Sequence, residues 1–547
     1  MFLGGHKAIQ DQRNNLWLCS VPQELFGTDW TATVVIDSTW TTMTIDGTEL
    51  SDSARFTFLE IQGGKKYPFT AMTGEDIVNG EITFTWLPLL ELNGTFGNEY
   101  AAGTVSLTAP DDTIGKNDMR AILKWRGGLT NTSGKHKRNY SIKFVDQNGD
   151  KQNRRLLKMR KDNHWKLDAG QIDMLRIRNR VCSDLWLDMS RQPWHLSLDS
   201  TAVNGSHGRV TEVFLNGEYH GIYGLIEPLD RKQLALVKYD TVAHAFHRQQ
   251  WTSKSKCPTY FLPAYNNYLD TWNGNEVQYP DIDEVMPTDW STIYNAFEFA
   301  RRCDAVDDWQ LLTDSIGHYF DMPVLEDYFI FIVALQAMDN EVKNIYYSCY
   351  DKTLGGPRLT MTPWDLDISV GAQSIAGLDV SPERSLDWIA HVAMGDCFNH
   401  SDFYRKHIID RYWELRTTWL KTENLVARFQ QAVDELENCG AAGREEARWS
   451  RDSDLDGKVL DISAEMDYIA NWITRRMAYL DENVFVKPVN LGDVNGDGVI
   501  NVSDVTALIN YVITESGNVV VDNCDMNGNG EINVSDVTTL INFVINN

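Results

Sequence analysis

Asp493-Val494-Asn495-Gly496-Asp497-Gly498-Val499-Ile500-Asn501-Val502-Ser503-Asp504 puts oxygen side chains at positions 1, 3, 5, 9 and 12 of a twelve-residue loop. Gly498 stands at position 6, where a sharp turn is needed, and Val499 stands at position 7, where the backbone carbonyl is the donor. A hard cation takes six to eight oxygens, so this is calcium-loop spacing. The same spacing returns 32 residues later as Asp525, Asn527, Asn529, Glu531, Asn533 and Asp536, with Gly530 at the turn. Each loop runs into apolar residues at helical spacing: Val505, Leu508, Ile509 and Val512, then Val537, Leu540, Ile541 and Val544. Two such units in register exclude a chance pair of Asn/Asp/Gly turns.

Ordinary calcium helix-loop-helix units have Glu at position 12 and a helix before the loop. Here position 12 is Asp in both loops, and Leu491-Gly492 leaves no room for an entering helix. Residues 489–547 therefore resemble a type I dockerin, a small α module with two calcium loop-helix repeats. The resemblance implies two bound Ca²⁺ ions and a cohesin domain of a scaffold protein as partner. It also implies an extracellular, scaffold-associated location, as in a cellulosome-like polysaccharide-degrading complex. Positions 10 and 11, which contact the cohesin in dockerins, read Val502-Ser503 and Val534-Ser535.

The rest of the chain must then be cargo. At 547 residues it exceeds one core, and 43% apolar residues with 18 Trp point to packed globular domains. A net charge of −27 argues against nucleic acid as a partner. The eight Cys are scattered without a Cys-x-x-Cys, which disfavours a zinc or redox motif and leaves disulfide pairing open. Met1-Phe2-Leu3-Gly4-Gly5 is not a signal peptide, so an export signal is expected to have been removed. The longest mostly apolar run, Tyr328 to Met338, has eleven residues and is too short to span a bilayer.

Residues 1–110 are rich in Thr, Val, Ile and Trp between turn signals such as Asp46-Gly47 and Gly63-Gly64, which predicts an all-β sandwich. Trp30 or Trp40 could stack on sugars if exposed; the plainer expectation puts them in the core. Residues 111–486 read as a larger α+β domain. Tyr140, Ile142 and Phe144 alternate with Ser141 and Lys143 on a predicted strand beside a local basic cluster. A helix is predicted from Arg178 to Met189, and Asn216-Gly217 between two apolar runs predicts a hairpin. Glu227 and Asp230 follow its second strand.

The densest chemistry lies in residues 328–371. An apolar helix ends in Asp339-Asn340-Glu341-Val342-Lys343-Asn344, a β-hairpin follows, and its second strand runs into Pro363-Trp364-Asp365-Leu366-Asp367. A carboxylate and an amide at a helix end, with a second carboxylate returned by a hairpin, can share a divalent ion and leave one Asp as a base. Protein kinases use this order of parts.

Across residues 111–486 an ordered set of motifs resembles the spore-coat CotH kinase family. It comprises Arg126-Gly127, Tyr140-x-Ile142-Lys143, Arg178-Asn179, Leu215-Asn216-Gly217-Glu218-Tyr219, Asn344-x-Tyr346-Tyr347, Pro363-Trp364-Asp365-x-Asp367, Arg411-Tyr412, Arg444-Glu445-x-x-Arg448-Trp449 and Trp472-Ile473-x-x-Arg475-Arg476. The resemblance implies an atypical protein-kinase-like fold that uses ATP with Mg²⁺ or Mn²⁺ to phosphorylate protein. Asp339 is then the candidate base, and Asn344 with Asp365 or Asp367 the metal ligands. Lys143 is the candidate phosphate-binding lysine, Arg126 a further one, and Glu227 a residue that could orient the lysine. The pattern lacks a Gly-x-Gly-x-x-Gly loop over the phosphates. The alternative is a pseudokinase or structural component of the complex. No carboxylate pair supports a glycoside hydrolase. Arg444, Glu445, Arg448 and Arg476 are expected to form buried ion pairs rather than a substrate patch.

Overall fold

Period-two alternation builds the first 85 residues into nine strands. They are hydrogen-bonded in one continuous sheet, in the spatial order Thr48–Leu50, Thr42–Ile45, Tyr67–Thr73, Asp76–Thr85, Leu16–Ser20, His6–Asp11, Phe2–Leu3, Trp30–Val35 and Ala54–Phe58. Its inward residues, among them Leu3, Val34, Met43, Ile45, Phe58, Phe69, Ile82 and Phe84, share a single core. Trp30 and Trp40 are half-buried and pack against it. The computed structural model describes every residue except 129, 130, 133, 240–246, 284, 374–376, 451–457, 488 and 547, and the side chains of 112–114.

A closed barrel follows. Its strands lie in the order Leu89–Asn93, Ala101–Ala109, Asp112–Arg126, Asn139–Phe144, His164–Asp168, Glu218–Ile226 and Gly208–Leu215. Closure comes from parallel pairing of Leu89–Asn93 with Gly208–Leu215. The first two strands fall within the span read as the N-terminal β region, yet their hydrogen bonds go to the barrel. Alternation shows that a strand has one buried face, not which sheet it joins. The interior holds Leu123, Tyr140, Ile142, Phe144, Trp165, Leu167 and Tyr223. Residues between them on the same strands must face outward. The expected hairpin forms at Asn216 (φ 52°) and Gly217 (φ 81°), the backbone of a two-residue turn matched to strand twist.

Below the barrel, the helix Met322–Leu335 is apolar on all sides, so it is buried. Its one fully enclosed acid, Asp327, takes Arg191 and Arg411. A five-stranded sheet lies beside it, in the order Thr271–Trp272, Asn275–Tyr279, Gln249–Ser253, Ile345–Cys349 and Leu359–Pro363. The helices Asp402–Arg416, Thr422–Asn438, Ala441–Trp449 and Ile462–Asn483 complete this part. Arg476, buried in the last of them, donates to the carbonyls of Val333, Pro382 and Arg384 and so closes the end of the central helix.

The Arg444-Glu445-x-x-Arg448-Trp449 motif is a seam between helix and barrel. Arg444 pairs with Glu212, Arg448 donates to the Tyr219 carbonyl, and Trp449 donates to the His220 carbonyl. Glu445 has no exposed surface and takes Lys137, Arg176 and the Ile222 amide, each at 2.7 Å. Gly221 (φ 105°) lies so close that any Cβ there would run into the Glu445 carboxylate. Buried charges of this kind are tolerated only when paired.

All eight cysteines are buried free thiols. The chain divides into two compact units, residues 1–480 and 481–547. In the second, the helices Val502–Thr514 and Val534–Asn546 share a core of Val494, Val505, Leu508, Cys524, Val537 and Leu540.

Glu445→Ala withdraws the shared carboxylate from two buried cations and is expected to destabilise the barrel unit by about 3–5 kcal/mol. A thermal-denaturation midpoint equal to that of the unaltered protein would contradict the seam.

Candidate functional site

The cleft is assembled where the end of the central helix meets the hairpin. Gln336 (φ 48°) stops the helix. Asn340, fully buried, then pins the turn by donating to the carbonyls of Trp364 (2.7 Å) and Asn344 (3.2 Å). Lys343 Nζ and Asn344 Nδ2 fold back onto Asp339 Oδ2 at 2.7 and 3.0 Å. Asp339 keeps 20% of its side chain exposed, and its Oδ1 has no partner among the described residues. Asn344 (φ 56°) and Asp365 (φ 60°) both adopt left-handed backbone, which Asn and Asp tolerate better than other side chains. The Trp364 amide donates to the Asn344 carbonyl at 2.9 Å, which sets the hairpin's end beside the helix end.

Two residues complete the acidic side: Asn179, quoted above only as part of a motif, and Asp168, which the sequence did not single out. Asn179, in the first turn of the helix Arg178–Met189, donates from Nδ2 to Asp168 Oδ2 at 2.6 Å. Its Oδ1 accepts the Leu366 amide at 3.0 Å. Asp168 is thereby held against the Asp365–Asp367 pair. Burial, then Asp168, pushes the Asp365 carboxyl up to about 6, with Arg126 and Lys343 opposing. Burial, then Asp365 and Asp168, pushes Asp367 well above the usual carboxylate range. Burial and the mutual repulsion of these acids both oppose their ionisation.

The opposite wall is the outer face of the barrel. Lys124, Arg126, Ser141, Lys143, His164 and Lys166 alternate with core residues, so they share that face. Lys143 pairs with His164, and Ser141 with Lys166, which puts the two lysines diagonally across neighbouring strands. Burial, then Arg126, Lys143 and Lys124, holds the Lys166 ammonium well below its usual range, with Asp230 opposing. Burial, then Lys166 and Lys143, drives His164 down to about 2, so it is neutral. Its Nε2 bonds Ser141 Oγ at 2.8 Å. Lys143 and Lys124 lie 4.5 and 4.8 Å from the centre of the Tyr100 ring. Arg126 sits 5.5 Å from the Trp364 ring and joins the basic wall to the acidic one.

Glu227, expected as a partner for the lysine, is occupied elsewhere. Its Oε1 accepts the Arg160 amide at 2.8 Å, and its Oε2 lies 3.5 Å from His207. Asp230, itself paired with Arg160, is the acid whose charge opposes the lowering at Lys166. Lys166 and Asp168 could have been noticed as His164-Trp165-Lys166-Leu167-Asp168, a strand whose even positions are polar. Nothing in that pattern ranks Lys166 above Lys143.

In the C-terminal unit, Asp493, Asp497 and Asp504 each bring a carboxylate oxygen within 4.8 Å of the others, the one such acidic group among the described residues. Asp493 Oδ1 is buried with no hydrogen-bond partner, an orphan that a cation would satisfy. Asp493 Oδ2 accepts the Gly498 amide, and Asp504 accepts the amides of Asn495 and Asn501. In the second loop Asp536 likewise takes the amides of Asn527 and Asn533, while Asp525 takes three amides, those of Gly528, Asn529 and Gly530. Asn495 and Asn527 both bond the serine that follows the exposed valine, and Asn501, Asn529 and Asn533 orient their oxygens onto backbone amides. The residues fit Ca²⁺. The carbonyls of Val499 and Glu531 occupy the backbone-donor position.

A β-barrel and a helical region, with acids and cations gathered where Asn179 and Arg126 join them, make an α+β unit followed by a small loop-helix module. Residues 123–480 match the family model CotH kinase protein, and residues 491–545 match Dockerin type I domain. The chain belongs to the CotH kinase protein family and carries a C-terminal type I dockerin. No curated protein matches it.

The first loop offers three acidic side chains, Asp493, Asp497 and Asp504, and the second two, Asp525 and Asp536, and ligand charge tightens calcium binding. Chelator titration followed by NMR should therefore empty the second loop first; simultaneous loss from both would contradict this.

Proposed function

We propose that the protein is an extracellular, cohesin-docked atypical kinase that transfers the γ-phosphoryl group of ATP to a Ser or Thr hydroxyl of a protein. The observation that carries this reading is that Arg126 joins the acids around Asp365 to the basic outer face of the barrel in a CotH kinase family member. Positioning and charge stabilisation supply most phosphoryl-transfer catalysis, and those are the properties such a cleft can offer.

In this reading Asp339 Oδ1 takes the proton of the acceptor hydroxyl while Oδ2 is held by Lys343 and Asn344. The acceptor oxygen bonds to the γ-phosphorus, the bridging P–O bond breaks, and ADP leaves. Asp365, with Asn344, Asp367 and Asp168, is assigned to a divalent ion; Asp365 is preferred because Arg126, Lys343 and Asp339 all act on it. Mg²⁺ or Mn²⁺ bound there neutralises charge on the phosphate oxygens. Lys166, Lys143 and Arg126 take the phosphates, and Lys166 is the leading lysine. It lies on the strand before the helix Arg178–Met189, as the kinase phosphate lysine lies on a strand of the upper lobe. The like charges around it would be relieved by a polyanion.

One observation favours the second reading, a pseudokinase that serves as a binding component. Among the described residues the cleft carboxylates do not converge as closely as those of the first calcium loop. The dockerin is assigned to a cohesin through Val502-Ser503 and Val534-Ser535, all exposed. No described helix is long and apolar enough to cross a membrane.

Labelled-ATP transfer with Mg²⁺ or Mn²⁺ tests the enzyme. Asp339→Ala should lower the rate about 10²–10⁴-fold, the range for loss of a general base. Lys166→Ala should cost more than Lys143→Ala. Incorporation equal in the wild type and Asp339→Ala, or absent from both, favours the pseudokinase. Because the two docking pairs are identical, changing one should leave cohesin binding largely intact and changing both should abolish it, read by calorimetry. Loss of binding from a single pair would refute two-way docking.

A further inference from the structure

Trp40 lies on the rim of a cavity of about 750 Å³ at one end of the N-terminal sheet, away from the charged cleft. Its ring is fixed from inside: 5.3 Å from Trp17 at 70°, and 5.5 Å from Phe69 at 36°. The turn that carries it is fixed as well. The Trp40 amide closes onto the Asp37 carbonyl at 2.9 Å, and Asp37 Oδ1 accepts both the amide and the hydroxyl of Thr39. Asp52 ties the neighbouring loop to it by accepting the Ile36 amide at 3.1 Å. An aromatic ring packed against a core on one side and open to a cavity on the other is a preorganised platform that needs little ordering when a ligand arrives.

The chemistry of the lining narrows the ligand. The apolar part is Trp40 with Val35, Ile36 and Leu50; the polar part is three carboxylates, Asp37, Glu49 and Asp52, and the hydroxyls of Ser38, Thr41, Thr42 and Ser51. No Lys or Arg lines it among the described residues, so an anion is excluded by repulsion. A metal is disfavoured by geometry, since these carboxylates do not converge as the first calcium loop's do. What remains must offer a flat C–H face to an indole and hydroxyl donors to carboxylates. A pyranose does both: its axial C–H groups meet the negative ring face, and its vicinal hydroxyls give charge-assisted hydrogen bonds.

We propose that this cavity is a binding subsite for a neutral pyranose unit of a polysaccharide, with Trp40 as the stacking platform and Glu49 as the principal hydrogen-bond acceptor. Glu49 suits the role because it is exposed on the strand Thr48–Leu50 and has no partner among the described residues, whereas Asp37 and Asp52 are engaged by the backbone. The subsite is independent of the cleft and of the dockerin, so it would give the N-terminal sheet a function of its own.

The test uses the full chain with calcium and three neutral probes, the hexasaccharides of β-1,4-glucan, xylan and mannan, with tetramethylammonium as a cationic control. Binding is followed by calorimetry and tryptophan fluorescence. At least one hexasaccharide should bind and perturb the fluorescence, and Trp40→Ala should abolish the effect. Glu49→Gln should weaken binding about tenfold, the loss of one charge-assisted hydrogen bond. Because Trp40 also packs on the core, Glu49→Gln decides if Trp40→Ala fails to fold. Three results would overturn the proposal: no hexasaccharide binds, binding is unchanged in Glu49→Gln, or only the cation binds. ATP-dependent transfer, if present, should be equal in Glu49→Gln and the unaltered chain.

Discussion

The carboxamide of Asn179 is the constraint on which the cleft depends. One side chain donates to Asp168 on a barrel strand and accepts from the Leu366 amide between Asp365 and Asp367. It therefore fixes the register of the upper wall against the lower one. Its neighbour Arg178 is buried between Asp173 and Glu465, so the helix that presents Asn179 is anchored to the last long helix of the lobe. A site that gathers Asp168 of the barrel with Asp365 and Asp367 would otherwise relax by separating its like charges.

The same logic runs through the rest of the unit. Glu445 ties the helix Ala441–Trp449 to the barrel, Asp327 ties Arg191 and Arg411 to the central helix, and Arg476 closes that helix's end. Buried ion pairs are weak sources of net stability but strong sources of specificity where a lost partner is costly. In this fold they sit at the joints between elements distant in sequence, where apolar packing alone would allow sliding. The charged motifs among the described residues of 111–486 are thus mostly joints, whereas the Asp339 to Asp367 stretch and the outer barrel face leave groups for a ligand.

How much of this could be read in advance depended on whether the information is local. The calcium loops are local: each donor is fixed by its position within twelve residues, and the orphan oxygen of Asp493 stands where the first donor was expected. The turn at Asn216-Gly217 and the hairpin that returns Asp365 towards Asp339 are local too. Lys166 and Asp168 are not, because an alternating strand offers several polar positions and only the barrel's register says which of them meet the acids. Glu227 failed for the same reason: it follows the right strand but turns to Arg160 and His207. The strands Leu89–Asn93 and Ala101–Ala109 looked like the region before them, because a strand's partner is set by closure of the barrel, 124 residues away in the case of Leu92 and Asn216.

In the proposed kinase, the acids around Asp365 and the basic barrel face together hold a metal and a polyphosphate. A crystal structure of the protein soaked with Mn²⁺ and a non-hydrolysable ATP analogue tests it most directly, because the anomalous signal of manganese locates the ion without assumption. The expected result is a manganese peak at Asp365, among Asn344, Asp367 and Asp168, with phosphate oxygens against Lys166 and Lys143. Manganese confined to the dockerin loops, or a nucleotide bound away from those lysines, would contradict it.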